Sequence, residues 1–459
     1  MSSASSWITV PEGSPFPITN LPFGVGQPDS GSWRAWVAVG DVALDLAAVH
    51  AAGWFGSIDL PRQCFTERTL NTYLACGPAV WSATRSRLVE LCTDESVADM
   101  LRPHLVDRSS LIMGVPTAPT DYVDFYSSLH HAVNVGRIFR PDSEPLLANW
   151  RYIPVGYHGR TGTLVPDHSS IWRPAGYRLA NGVPTVGPCD ALDIELEVAS
   201  VIGVGNERGS PIDIADASQH LYGICLLNDW SARDLQAFEY QPLGPFLGKS
   251  FASSLSPWLV SLEALEPFRT HPPAQDPPPA EYLATNQPWA LDLHLEVWIQ
   301  SARMRELGMN GQLISCVGFA DMYWTPAQQL AHLTVNGAST RSGDLFGSGT
   351  VSGATPGSEG SLIELTSNGQ RPFGLPDGSS RTFLLDGDRV ELRGWAGKDP
   401  ATRIGLGSVA GTIVPARGSP ASLSTASHSP ASHSPASHSP ASHGPASHSP
   451  ASRSNGRGD

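Results

Sequence analysis

The stretch Leu192-Asp193-Ile194-Glu195-Leu196-Glu197-Val198 alternates strictly between apolar and acidic side chains. A β-strand sends successive side chains to opposite faces, so Ile194, Leu196 and Val198 share one face and Asp193, Glu195 and Glu197 the other. The apolar character continues over 192–201. Comparable alternating or continuously apolar runs occupy 36–45, 221–228, 291–299, 344–352, 361–366 and 388–394, and all read as strands. Gly (45) and Pro (40) punctuate the whole chain, as expected of short strands joined by many turns. Helical periodicity is confined to about 67–92, about 127–138, about 230–240 and about 325–334. The expected fold is mostly β with a few helices, of barrel or sandwich type.

The 459 residues have a mass of 48.8 kDa, enough for two or three domains. A break at Pro116-Thr117-Ala118-Pro119-Thr120 divides them into expected units at 1–117 and 118–416, the second interrupted by a Pro-rich loop at 267–283. A net charge of −14 argues against nucleic acid or an anionic membrane as partner. The most apolar stretch, Trp36 to Trp54, is broken by Asp41 and Asp45, well short of the ~20 apolar residues of a span. The first basic residue is Arg34, so the start does not read as a signal or transit peptide. Six scattered cysteines form no CxxC, and no Asn-x-Ser/Thr acceptor occurs. A reduced, cytoplasmic chain is expected.

From 417 to 459 the composition changes. The unit Ser-Pro-Ala-Ser-His repeats at 429–433, 434–438 and 439–443, followed by near-copies. From Ser424 to Arg453 nothing large and apolar is there to bury, and the tail is expected to be disordered. Its regularly spaced histidines fix no coordination geometry.

Chemistry concentrates in the second unit. Asp193, Glu195 and Glu197 either form a solvated strand face or surround a hard divalent cation, Mg²⁺ or Ca²⁺. In Asn228-Asp229-Trp230-Ser231-Ala232-Arg233, Asp229 reads as a helix cap, which would place Asp229, Arg233, Gln236 and Tyr240 on one stripe. Gly244-Pro245-Phe246-Leu247-Gly248-Lys249-Ser250 is one residue too short between its glycines for a phosphate loop. Lys249 and Lys398 are the only lysines beside 27 arginines. A lysine that persists in such a chain points to a need for a compact ammonium. His131 falls near the start of a helix, where the dipole favours a neutral imidazole. Arg140 is a candidate carboxylate clamp. Gly343 to Thr350 ends a strand in a Gly-rich turn that brings backbone close to a ligand. Glu364, pointing away from Ile363 and Leu365, is placed to orient a histidine.

FPITNLPFGVG (16–26), DYVDFYSSLHHA (121–132), RYIPVGYHGR (151–160), DIELEV (193–198), LNDWSARDLQ (227–236), YQPLGPFLGKSF (240–251), MYWTPAQQL (322–330), GDLFGSGTVSG (343–353) and RTFLLDGD (381–388) occur in that order. Together they resemble the fumarylacetoacetase family over about 7–416. The resemblance implies a small SH3-like N-terminal barrel, a β-sandwich-roll catalytic domain and a homodimer. The implied activity is metal-dependent hydrolysis of the carbon–carbon bond of 4-fumarylacetoacetate, a diketo acid, the last step of tyrosine and phenylalanine breakdown. The matching positions imply metal ligands at Asp124, Glu195, Glu197 and Asp229, with Lys249 and Ser253 beside them. They imply His131 as general base oriented by Glu364, and Arg233, Gln236 and Lys249 as stabilisers of negative charge. Tyr126, Arg140, Tyr157, Gln236, Tyr240 and Thr350 match substrate contacts. Ser253 stands where the family carries Thr, with the hydroxyl kept.

Three rivals remain to be weighed. A keto-acid hydratase or decarboxylase of the same superfamily would lack the long N-terminal unit and the His131 and Gln236 surroundings. A non-catalytic binding protein would have lost the acids. A metal store built on the tail would bind metal outside the body of the chain.

Overall fold

The structure, a computed structural model, describes residues 6–29 and 31–418; the repeat tail lies outside them from 419 onward. The strand Leu221–Asp229 is buried along its whole length, because both of its faces are covered. Ile224 and Leu226 enter one core with Leu295, Val297, Leu392 and Leu406. Cys225 and Leu227 enter another with Phe23, Tyr73, Trp81 and Leu88. A strand covered twice reads as a continuous apolar run, which is why Gly223 to Leu227 shows no alternation.

This strand lies within a long mixed sheet. In spatial order the neighbours run Leu105–Asp107, Val42–Asp45, Arg34–Val39, Phe23–Pro28, Trp258–Ser261, Leu221–Asp229, Leu196–Ile202, Leu345–Gly347, Tyr122–Phe125 and Gly156–His158. The N-terminal strands are thus hydrogen-bonded into one sheet with strands of the second unit, with Phe23 opposite Leu259 and Gly24 opposite Trp258. A second sheet orders Gln312–Gly318, Leu293–Gln300, Arg389–Ala396, Ile404–Val414 and Ser169–Trp172. It packs face to face on the first. At Gly394 an added side chain would come within 2.8 Å of Leu295 and 3.1 Å of Leu226. The fold is mostly β with a few short helices, as expected.

Several local expectations need correction. The strand expected over 192–201 is broken at Ile194 and Glu195, because the Glu195 amide donates to the Asn228 side chain (3.1 Å) rather than to a ladder partner. Asp229 ends a strand and caps nothing; the helix begins at Arg233 and runs to Glu239. The proposed stripe therefore does not lie on one helix. The segment 361–366 is a helical turn, Leu362–Leu365, and not a strand. Leu362 and Leu365, three apart, suit a helix, while Ile363 and Leu365, two apart, suit a strand, so this short run fits either period. The region 67–92 holds two helices, Asn71–Leu74 and Pro78–Thr93, separated at Gly77, whose φ of 85° stops the first. All six cysteines are unpaired. Among the described residues no helix is long and apolar enough to cross a membrane.

Candidate active site

Three strands and the break at Glu195 bring four acids to one place. Gly347 pairs with Asp124 on one side and Ala199 on the other, and Leu196 lies opposite Asn228. Asp124, Glu195, Glu197 and Asp229 each place one carboxylate oxygen so that the four lie within 4.8 Å of one another. None is more than 4% exposed. Gly347 makes the room: a side chain there would stand 2.5 Å from Glu197 Oε2, 2.9 Å from Leu227 and 3.2 Å from Asp124 Oδ1. Asp124 Oδ1 and Glu197 Oε1 are buried without a protein partner. Burial, then Asp229, pushes the Asp124 carboxyl well above its usual range; burial, then Asp124, does the same to Glu197. Unpartnered buried carboxylate oxygens are costly, and an all-oxygen donor set suits a hard divalent ion. The four acids therefore fit a divalent metal. Gly347→Ala should lower metal affinity about tenfold or more while costing only the ~1–3 kcal/mol of local overpacking. Calorimetric titration of the folded variant gives the answer; an unchanged affinity would mean the acids do not need that space.

Two buried cations share the acids. Lys249 Nζ, on a residue 6% exposed, contacts Glu195 Oε2 and lies 2.9 Å from Asp229 Oδ2. Arg233 Nη2 lies 2.8 Å from Glu195 Oε1, and its Nη1 donates to Gln236 Oε1 at 3.2 Å. Burial alone would raise Glu195, but Lys249, Arg233 and His131 outweigh it and hold the carboxyl at about 2. Burial opposes the Lys249 ammonium, yet Asp229 and Glu195 raise its pKa above the usual lysine value. Ser253 Oγ donates to Asp229 Oδ1 (2.6 Å) and Tyr157 OH to Asp229 Oδ2 (3.1 Å). Lys249, Ser253 and Tyr157 thus meet at the Asp229 carboxylate. All three line a cavity of about 290 Å³. Trp230, fully buried, anchors this bend: its Nε1 donates to Ser254 Oγ (2.8 Å), and its ring fills the space over Gly411. Losing such a ring would cost about 3–5 kcal/mol.

His131 sits in the first turn of the helix Leu129–Phe139, where Ser128 caps its backbone N–H. Its Nδ1 is 2.6 Å from Glu364 Oε2, and its Nε2 faces Glu195 Oε1 at 3.9 Å. Glu364 also accepts from Asn134 Nδ2 (3.0 Å), Ser352 Oγ (3.0 Å) and Ser361 Oγ (2.6 Å). Burial would raise Glu364, but His131, Ser361 and Asn134 outweigh it and leave its pKa lowered. A carboxylate held ionised at Nδ1 fixes the hydrogen there and leaves the Nε2 lone pair directed at the acids.

Of the expected substrate contacts, Tyr126, Tyr157, Gln236 and Thr350 lie beside this centre. Tyr126 lies edge-on to His131 with ring centroids 5.3 Å apart. Thr350 follows Gly349, whose amide donates to Glu197 Oε2 (3.1 Å), and its own hydroxyl is buried without a protein partner. Arg140 and Tyr240 each follow a helix end, and the Tyr240 ring lies 6.0 Å from that of Phe139. Arg140 Nη2 donates to Pro145 O (2.7 Å), leaving Nε buried without a protein partner.

Sequence reasoning did not single out Asn134, Ser352, Ser361 or Tyr122, and took Gly347 only as part of the Gly-rich turn at 343–350. Tyr122 is 1% exposed, its hydroxyl has no protein partner, and its phenol is raised by burial and then by Asp229. Asn134 is three residues after His131, and Ser361 three before Glu364, spacings that would have flagged both once the pair was known. Tyr122 carried no local signal.

Comparison with known proteins agrees with this geometry. Residues 19–116 match the family model described as fumarylacetoacetase N-terminal, and 121–414 the one described as fumarylacetoacetate hydrolase C-terminal. The chain is 46% identical to the fumarylacetoacetase of Arabidopsis thaliana, covering 91% of this chain and 100% of the relative. It is 43% identical to that of Mus musculus and 41% to that of Homo sapiens, each alignment covering 90% of this chain and 99% of the relative. With both regions matched and the acids, cations and His131–Glu364 pair converging on one centre, the chain belongs to the fumarylacetoacetase family.

Proposed function

We propose that the chain hydrolyses 4-fumarylacetoacetate to fumarate and acetoacetate, the last step of tyrosine and phenylalanine breakdown, as a cytoplasmic homodimer with Mg²⁺ and/or Ca²⁺ at the four acids. The observation that carries this reading is His131 Nε2, backed by Glu364 and aimed at an acid cluster flanked by two buried cations. A divalent ion held by Asp124, Glu195, Glu197 and Asp229 would supply Lewis acidity toward the diketone oxygens. His131 Nε2 takes a proton from water as its oxygen adds to the carbonyl. The carbon–carbon bond then breaks, its electron pair leaving as the enolate of acetoacetate, whose terminal carbon takes the proton back from His131 as fumarate is released. Arg233, the Gln236 amide N–H₂ and Lys249 stabilise the tetrahedral oxyanion and that enolate. Arg140, Tyr126, Tyr240 and Thr350 hold the acid chain. The direct test is loss of the conjugated diketone absorbance, with and without chelator. No loss in the presence of either metal would end the reading.

A homodimer draws support from a protruding ribbon, Ala175–Ala180 with Val183–Pro188. Tyr177 pairs with Val186 and Leu179 with Pro184, so all four share one face and all are exposed. Phe238 stacks on Tyr177 with centroids 5.8 Å apart, extending an apolar patch of the kind that marks an interface.

Lys249→Arg should reduce turnover roughly 10²–10³-fold although the charge is kept. The ammonium already touches two carboxylates in a buried site, and a longer planar guanidinium needs space that is not there. Lys398→Arg is the control and should be silent. Wild-type turnover in Lys249→Arg would make Lys249 a generic cation.

A further inference from the structure

Asp193 is fully buried, yet it takes no part in the acid cluster. The strand breaks after it, and its carboxylate serves four donors. Oδ1 accepts from the backbone N–H of Leu362 and of Ile194, both at 2.7 Å. Oδ2 accepts from the backbone N–H of Ile363 (3.0 Å) and from Arg233 Nε (2.7 Å). Leu362 and Ile363 open the helical turn that carries Glu364. The residue in the capping position, Ser361, provides no side-chain cap; its hydroxyl goes to Glu364 instead. Asp193 therefore caps the turn from a distant part of the chain and releases Ser361 to hold Glu364.

We propose that Asp193 is a positioning residue that fixes Arg233 and the Glu364–His131 pair relative to each other. The proposal rests on the roles given above to Arg233 and His131. One side of the carboxylate leads through the helical turn to Glu364 and His131 Nδ1. The other leads through Arg233 to Glu195 and Gln236. The group that takes the proton and a group that stabilises the resulting charge are thus both referred to one rigid anion. A carboxylate has about four lone-pair positions, all used here. An amide of the same shape has one carbonyl oxygen and would turn N–H against donors. Misplacement of reacting groups by about 1 Å costs on the order of 10²-fold in rate.

Asp193→Asn should lower kcat on the order of 10–100-fold with KM changed less than about threefold, the pattern of a group felt in the transition state. In an Arg233→Met, Glu364→Gln background the same change should cost less than about twofold, because the residues it positions are gone. Deuterium exchange followed over the 361–365 peptide should accelerate in Asp193→Asn while 345–347 stays as in the wild type. Arg233→Met reads the link from the other end, even should Asp193→Asn fail to fold: Ile363 shares Oδ2 with Arg233, and its amide should exchange faster. Full Asp193→Asn activity, an undiminished loss in the double background, or wild-type protection of Ile363 in Arg233→Met would each overturn the proposal. The exchange arm needs no turnover. A wild-type chain inert toward 4-fumarylacetoacetate would instead sink the hydrolase reading, and the positioning role with it.

Discussion

Glu195→Gln should remove divalent-metal binding and lower turnover by roughly 10³-fold or more, beyond the 10²–10³ typical of one lost charge-stabilising donor. The size follows from how many groups meet at this carboxylate. It accepts Lys249 on one oxygen and Arg233 on the other, faces His131 Nε2, and is one of the four acids of the cluster. Removing its charge leaves the ammonium with Asp229 and the guanidinium with Asp193, so the fold should survive. The stability loss should stay near the ~1.5–3 kcal/mol of a hydrogen bond to a charged group. Calorimetry with Mg²⁺ and Ca²⁺, steady-state turnover and a melting curve together decide it. Full metal occupancy in the variant would take Glu195 out of the metal site.

His131→Ala should cost on the order of 10²–10⁴-fold in turnover while metal affinity stays close to wild type, as expected when a general base is removed and the acids are untouched. Glu364→Gln sharpens the test. Its amide N–H₂ can face Nδ1, which moves the imidazole hydrogen to Nε2 and removes the lone pair that accepts the proton. Its turnover should therefore fall as well, although no reacting atom is touched. Turnover maintained in His131→Ala would send the search to His130, the neighbouring imidazole. Loss of metal binding in that variant would instead make His131 part of the metal site.

Much of this was legible in the chain itself. Alternation at 193–198 and the apolar run before Asn228 located two adjacent strands of the sheet, because side-chain direction in a strand depends only on position along it. The carboxylates, the persistent Lys249 and His131 at a helix start stood out by residue type, and the structure brings them together. Two of the segments that misled are short. In Ser361 to Thr366 and in Asp229 to Arg233, a few residues satisfy helix and strand spacing alike, and the outcome depends on remote hydrogen bonds.

What the sequence by itself determined is the mostly β character and the family, since strand alternation and ordered motifs are properties of the chain alone. What only the tertiary structure decided is which acid does what. Asp193, Glu195 and Glu197 look equivalent along the strand, but the break at Ile194 turns Asp193 toward Arg233 and the Glu364 turn. Gly347, from a strand some 150 residues away in the chain, supplies the space that lets Asp124 and Glu197 approach. Coulomb energy and burial act through distance in space, and the order of residues along one strand does not contain the distances between four.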